Sequence, residues 1–179
     1  MVVRENTGLI VGDIQGKLAR LVHDSDVLIS NCEKLIKGAN ALELPIILLE
    51  QNPQKLGRTT TKLSALLEDI DPITKFTFNA CETPDFIDFA KTKNVDTWLI
   101  CGIEAHICVY QTASGLIEHE FNVELVSDCI SSRTLSNKQL AITRLQNSGV
   151  GITGLEMCLY ELVKDCRVPE FKQILELIR

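Results

Sequence analysis

The 179-residue sequence contains no apolar run near the ~18 residues that span a bilayer. Its opening residues lack the charged stretch, apolar block and small-residue cleavage site of a secretory signal. These absences give the expectation of a cytoplasmic protein. No Cys-x-x-Cys occurs, and the three histidines (His23, His106 and His119) are scattered, so no metal site is expected. The seven cysteines, at positions 32, 81, 101, 108, 129, 158 and 166, are odd in number and follow no secretory signal, so a disulfide framework is not expected either. Most should be buried small hydrophobes. Neither G-x-G-x-x-G nor G-x-x-x-x-G-K-[ST] follows an apolar run, which removes the usual dinucleotide and P-loop sites. The 18 Lys and Arg residues form no dense run and the net charge is −6, so nothing favours nucleic acid or an anionic membrane as partner.

What is present is an ordinary globular balance, 45% hydrophobic and 23% charged, with no repeat or linker. Residues 1–179 read as one domain. Short apolar runs at Leu9–Val11, Ile46–Leu49, Trp98–Ile100, Val123–Val126 and Gly151–Thr153 have the form of buried parallel strands. Helical patterns lie between them. Leu28, Cys32, Leu35, Ile36 and Ala39 share one helical face. Thr83-Pro84-Asp85 reads as a helix start, and Ser136 with Gln139 as a capping box. Phe171, Ile174, Leu175 and Ile178 mark a final amphipathic helix, which offers a subunit interface or a face to pack on its own sheet. Alternating strands and helices predict an α/β fold: three layers, α/β/α, around a mostly parallel sheet, Rossmann-like in its winding. Ligands of such folds gather at the carboxyl ends of the strands.

Three residues stand at such ends. Asp13 directly follows the first strand, where partial desolvation raises its affinity for a proton and suits a general base. Capping of the next loop is the plainer role. Lys75 lies in Ile73-Thr74-Lys75-Phe76-Thr77-Phe78, where alternation sets it opposite the two phenylalanines; it reads as a lysine on the wet face unless Asp13 and Cys108 are near. Cys108 falls between a strand ending near Cys101–Gly102 and a helix whose apolar face is Val109, Ala113, Leu116 and Ile117. A helix N-terminus there favours the thiolate and offers backbone N–H groups to an oxyanion. His106, two residues away, is a less suitable partner for the thiol, since i and i+2 do not face one another on a helix. It reads as structural or substrate-facing.

Taken together, Leu9-Ile10-Val11-Gly12-Asp13-Ile14-Gln15, Lys75-Phe76-Thr77-Phe78 and Gly102-Ile103-Glu104-Ala105-His106-Ile107-Cys108-Val109 with Thr112-Ala113 resemble the isochorismatase-like cysteine hydrolases. The likeness is strongest to the isochorismatase domain-containing branch, through Glu50-Gln51-Asn52-Pro53, Asp128 with Ser131-Ser132-Arg133, and Pro169-Glu170-Phe171-Lys172. It implies a catalytic triad of Asp13, Lys75 and Cys108, with a non-proline cis peptide between Ile103 and Glu104. It also implies an oxyanion held by the N–H groups of Glu104 and Cys108, and a homo-oligomer. His106 and Phe78 are candidate substrate contacts, and the substrate is a small molecule. The metal-binding histidines of the nicotinamidase branch have no counterpart between positions 24 and 105, so neither metal nor cofactor is expected. The expected activity is hydrolysis of a small amide or related acyl compound. The alternatives are a silent scaffold of the same fold and, more remotely, a peroxide sensor using Cys108. Arg58, Thr59 and Thr60, in the poorly patterned 51–72 stretch, are either substrate contacts or ordinary loop polarity.

Overall fold

The computed structural model describes residues 1–179. Six strands form one parallel sheet: β1 (Thr7–Gly12), β2 (Ile46–Gln51), β3 (Ile73–Lys75), β4 (Thr97–Ile103), β5 (Asn122–Ser131) and β6 (Gly151–Thr153). Their order is β3-β2-β1-β4-β5-β6. The helices are α1 (Leu18–Leu21), α2 (Ser25–Ala41), α3 (Pro53–Leu56), α4 (Thr61–Ser64), α5 (Phe86–Lys91), α6 (Tyr110–Glu118), α7 (Leu135–Asn147), α8 (Leu155–Val163) and α9 (Phe171–Ile178). None is long and apolar enough to cross a membrane.

The central strands are apolar on both faces because both faces are covered. In β1, Leu9 and Val11 join the core beneath α2, α8 and α9, while Ile10 joins the core beneath α5, α6 and α7. In β4 the same alternation separates Leu99, Cys101 and Ile103 from Trp98 and Ile100. The expected three-layer α/β/α architecture is therefore present. The sheet winds outward in both directions from β1, so the switch point lies between β1 and β4. There the strand ends meet closely: at Gly102, with φ of +133°, an added Cβ would collide with the Gly12 carbonyl oxygen.

Several expectations shift. The helix expected to start at Thr83 starts at Phe86, because the Phe86 N–H turns back onto the Thr83 carbonyl (3.2 Å) and Asp85 takes a left-handed φ of +63°. The capping residue of α7 is Thr134, not Ser136: the Thr134 hydroxyl accepts the Asn137 N–H at 3.3 Å. The final helix turns its apolar face inward, with Ile174 fully buried and Phe171, Leu177 and Ile178 packed on the same core. Of the two roles open to it, packing on its own chain is the one seen.

Candidate functional site

The carboxyl ends of β1 to β4 converge on one cluster. Asp13, the first residue beyond β1, holds φ at +56°, a left-handed conformation that aspartate tolerates better than most residues, and its N–H donates to the Leu49 carbonyl of β2 (3.2 Å). Lys75 ends β3, in register with Gln51 at the end of β2. Its side chain is fully buried. Lys75 Nζ lies 2.8 Å from Asp13 Oδ2 and donates to Gln51 Oε1 at 2.6 Å. This reverses the expected exposure: the lysine is inside, and Phe76 and Phe78 are the exposed residues, 72% and 53% accessible. The strand stops at Lys75, and the chain beyond it no longer belongs to the sheet, so alternation there carries no inside and outside.

Cys108 sits in a π-helical turn, Ala105–Val109, that runs into α6. The turn carries its thiol to the same cleft as the Asp13 carboxylate, close enough for each to shift the other's proton affinity. The Ile103–Glu104 peptide is cis, as the resemblance implied. Burial raises the Asp13 carboxyl above the usual carboxylate range, and the Lys75 charge opposes that rise. Burial also pushes the Cys108 thiol up to about 12; the Asp13 charge adds to this and Lys75 opposes it. Both causes oppose the thiolate expected from a helix N-terminus. A buried anion beside a second anion is costly.

Asp13 and Cys108 open into a cleft of about 230 Å³, lined also by Gln51, Glu104 and Arg133. Leu18, Leu56, Phe78, Ile103 and Ile107 supply its apolar walls. Phe78 thus faces the cleft, whereas His106 does not line it. The His106 ring is held with Nδ1 2.9 Å from Ser132 Oγ and Nε2 3.6 Å from Glu104 Oε2. Arg58, Thr59 and Thr60 are also outside the cleft. Thr59 donates its N–H and hydroxyl to buried Glu50 (2.7 and 2.8 Å), and the Thr60 N–H donates to Ile14, so their polarity pins the loop.

Two glutamines that the sequence did not single out organise the cluster. Gln15 accepts the Gln51 N–H (2.7 Å) and donates to the Gln51 carbonyl (3.1 Å). Gln51 Nε2 donates to the Phe76 carbonyl (2.8 Å), which fixes the amide so that its oxygen meets Lys75. Their position at or just beyond a strand's carboxyl end was the available signal. No three His, Cys, Asp or Glu side chains converge in a way that would hold a metal ion.

A parallel α/β sheet with a thiol, a carboxylate and an ammonium at its switch point defines a hydrolase-like class of protein. The family follows from comparison: the chain belongs to the isochorismatase domain family, whose model matches residues 7–157. It is 33% identical over 170 residues to isochorismatase domain-containing protein 2 of Danio rerio, covering 95% of this chain and 85% of that one. It is 32% identical over 178 residues to the secreted isochorismatase effector Isc1 of Phytophthora sojae, covering 96% and 83% respectively. The MAR1 ribonuclease of Caenorhabditis elegans superimposes with a TM-score of 0.92 at 32% identity, covering 99% of this chain and 91% of that one.

Proposed function

We propose that this isochorismatase-family chain is a cysteine hydrolase that cleaves a small amide or related acyl compound through a thioester on Cys108. The observation that carries the reading is that Asp13 and Cys108 line one small cleft while the buried Lys75 ammonium lies 2.8 Å from the Asp13 carboxylate.

In this reading Asp13 takes the Cys108 proton as sulfur attacks the carbonyl carbon. The C–S bond forms and the carbonyl electron pair moves to oxygen, toward the N–H groups of Glu104 and Cys108; the Glu104 N–H donates to no carbonyl of the chain. The C–N bond then breaks, and the leaving nitrogen takes the proton from Asp13. Water attacks the thioester and gives its proton to Asp13. The C–S bond breaks, and the departing sulfur recovers that proton. The Lys75 charge offsets the negative charge as it moves from Asp13 to sulfur. A resting thiol suits this cycle, because the proton acceptor is already in contact with it.

A net charge of −6, with Arg133 the exposed cation of the cleft, favours a small substrate over a polyanion such as RNA. All seven cysteines are free, which supports a reducing compartment such as the cytosol. A homo-oligomer remains part of the proposal, supported now by exposed Phe76 and Phe78 rather than by α9. Light scattering that gives a lone species of about 20 kDa would remove it.

The test is a panel of small amides incubated with the protein and read by intact mass. An acyl adduct on Cys108 that forms in wild type and not in Cys108→Ala is expected. No adduct, together with Cys108 alkylation indifferent to both Asp13→Asn and Lys75→Met, would replace the enzyme with the scaffold reading.

A further inference from the structure

Six buried side-chain polar atoms in the protein have no hydrogen-bond partner, and three of them belong to the cleft: both carboxylate oxygens of Asp13 and Oε2 of Glu104. All three are acceptors. The Asp13 oxygens are explained by the ammonium 2.8 Å away and by the thiol proton they are placed to receive. Glu104 Oε2 is not. The Glu104 side chain is 5% exposed, and its other oxygen, Oε1, lies 2.7 Å from Arg133 Nε. The nitrogen facing Oε2 is His106 Nε2, at 3.6 Å, beyond hydrogen-bond reach, on a ring already engaged with Ser132. A buried acceptor of this kind is costly unless something donates to it, and such exceptions call for an explanation. Of the donors that line the cleft, Arg133 Nε lies against Oε1 and Gln51 Nε2 is committed to the Phe76 carbonyl.

We propose that Glu104 is a specificity residue whose Oε2 accepts an N–H or O–H from the non-reacting end of the substrate. The cleft then takes small amides that carry a hydrogen-bond donor (an amine, amide or hydroxyl) away from the scissile bond. This rests on the cysteine-hydrolase reading above. Arg133 balances the Glu104 charge, so a neutral donor is accommodated as well as a cation. A carboxylate at that end meets the Glu104 carboxylate and is disfavoured.

The probes are four 2-chloroacetamides of matched size, with N-(2-aminoethyl), N-(2-hydroxyethyl), N-propyl and N-carboxymethyl groups. Saturable alkylation of Cys108 is followed by peptide mass spectrometry. The aminoethyl and hydroxyethyl probes are expected to half-saturate at about tenfold lower concentration than the propyl probe. That gap should close to within about twofold in Glu104→Ala. Glu104→Gln, which keeps size and burial, should narrow the gap in part and guards against a variant that fails to fold. The wild-type preference is a result in its own right. A rapidly reacting, Asp13-dependent Cys108 with no preference for donors overturns the Glu104 assignment and leaves the nucleophile standing. A preference for the carboxymethyl probe that vanishes in Arg133→Met overturns it in favour of the guanidinium. Cys108 alkylation indifferent to Asp13→Asn overturns the hydrolase reading and this inference with it.

Discussion

Cys101 and Cys108 lie seven positions apart on β4 and the turn that follows it, and both thiols are held above their ordinary range. For Cys101 the causes are a hydrogen bond with Cys32 and complete burial, in a core shared with Cys129 and Cys158. For Cys108 they are burial and the charge of Asp13. Cys101 has no proton acceptor stronger than another thiol and no opening to solvent. Cys108 has a carboxylate raised toward the thiol in proton affinity, an ammonium behind that carboxylate, and a cleft in front. Burial alone therefore makes a cysteine inert, whereas burial against a carboxylate that can take the proton makes it a candidate nucleophile.

The sharpest way to break that comparison is to delete each thiol in turn. Cys108→Ala should lower amide hydrolysis by at least ~10³-fold, because no other group can form the acyl intermediate. Cys101→Ala should cost stability, about 1–2 kcal/mol from the cavity, and leave kcat within threefold. Equal losses of activity in steady-state assays would erase the distinction.

Asp13→Asn separates the two roles of the carboxylate. Hydrolysis should fall by ~10²–10⁴-fold with the loss of the proton acceptor. The Cys108 thiol should move down from about 12, since the neighbouring charge that raises it has gone. In wild type, the alkylation rate should climb with pH without a plateau up to pH 9.5; in Asp13→Asn a plateau should enter that range. A variant whose thiol moved up would show that Asp13 stabilises the thiolate instead.

Lys75→Met removes the only cation in contact with Asp13 and leaves a carboxylate buried without a partner. A loss of about 3–5 kcal/mol in urea unfolding is expected, along with a Cys108 thiol pushed further up. A stability change under 1 kcal/mol would mean that the pair is solvated enough to be dispensable.

The strands were legible because burial on both faces writes itself as continuous apolar runs, and Asp13 and Cys108 were legible because each follows such a run. Lys75 was found but placed on the wrong side: the pattern Lys75–Phe78 spans the end of an edge strand three residues long, where the phenylalanines leave the sheet. The strand β5 runs to Ser131, past the expected Val126, through a register shift against β4 that no periodicity reveals. The part Gln51 plays was not legible. Its role depends on the β2–β3 register that places it beside Lys75, and on Gln15, in the loop after β1, fixing its backbone. The ion pair of Glu104 with Arg133 joins residues just beyond the ends of β4 and β5 and was hidden for the same reason.

The smallest expected effect tests whether the two kinds of cysteine are alike in the one respect the comparison allows. A thiol whose folded value exceeds its unfolded value of 9.0 contributes stability that is complete below pH 9 and is lost as pH rises toward the folded value. Cys129, raised to about 11 by burial, and Cys108, raised to about 12, should each steepen the fall in unfolding free energy between pH 9 and 10.5 by about 1.4 kcal/mol per pH unit. Cys129→Ala and Cys108→Ala should therefore flatten that slope equally in urea titrations, although only one of them abolishes chemistry. If Cys108→Ala leaves the slope unchanged, the folded thiol has already lost its proton below pH 9. The Asp13–Cys108 pair as a whole then gives up its proton no later than a free thiol does, and the likeness between the two cysteines ends there.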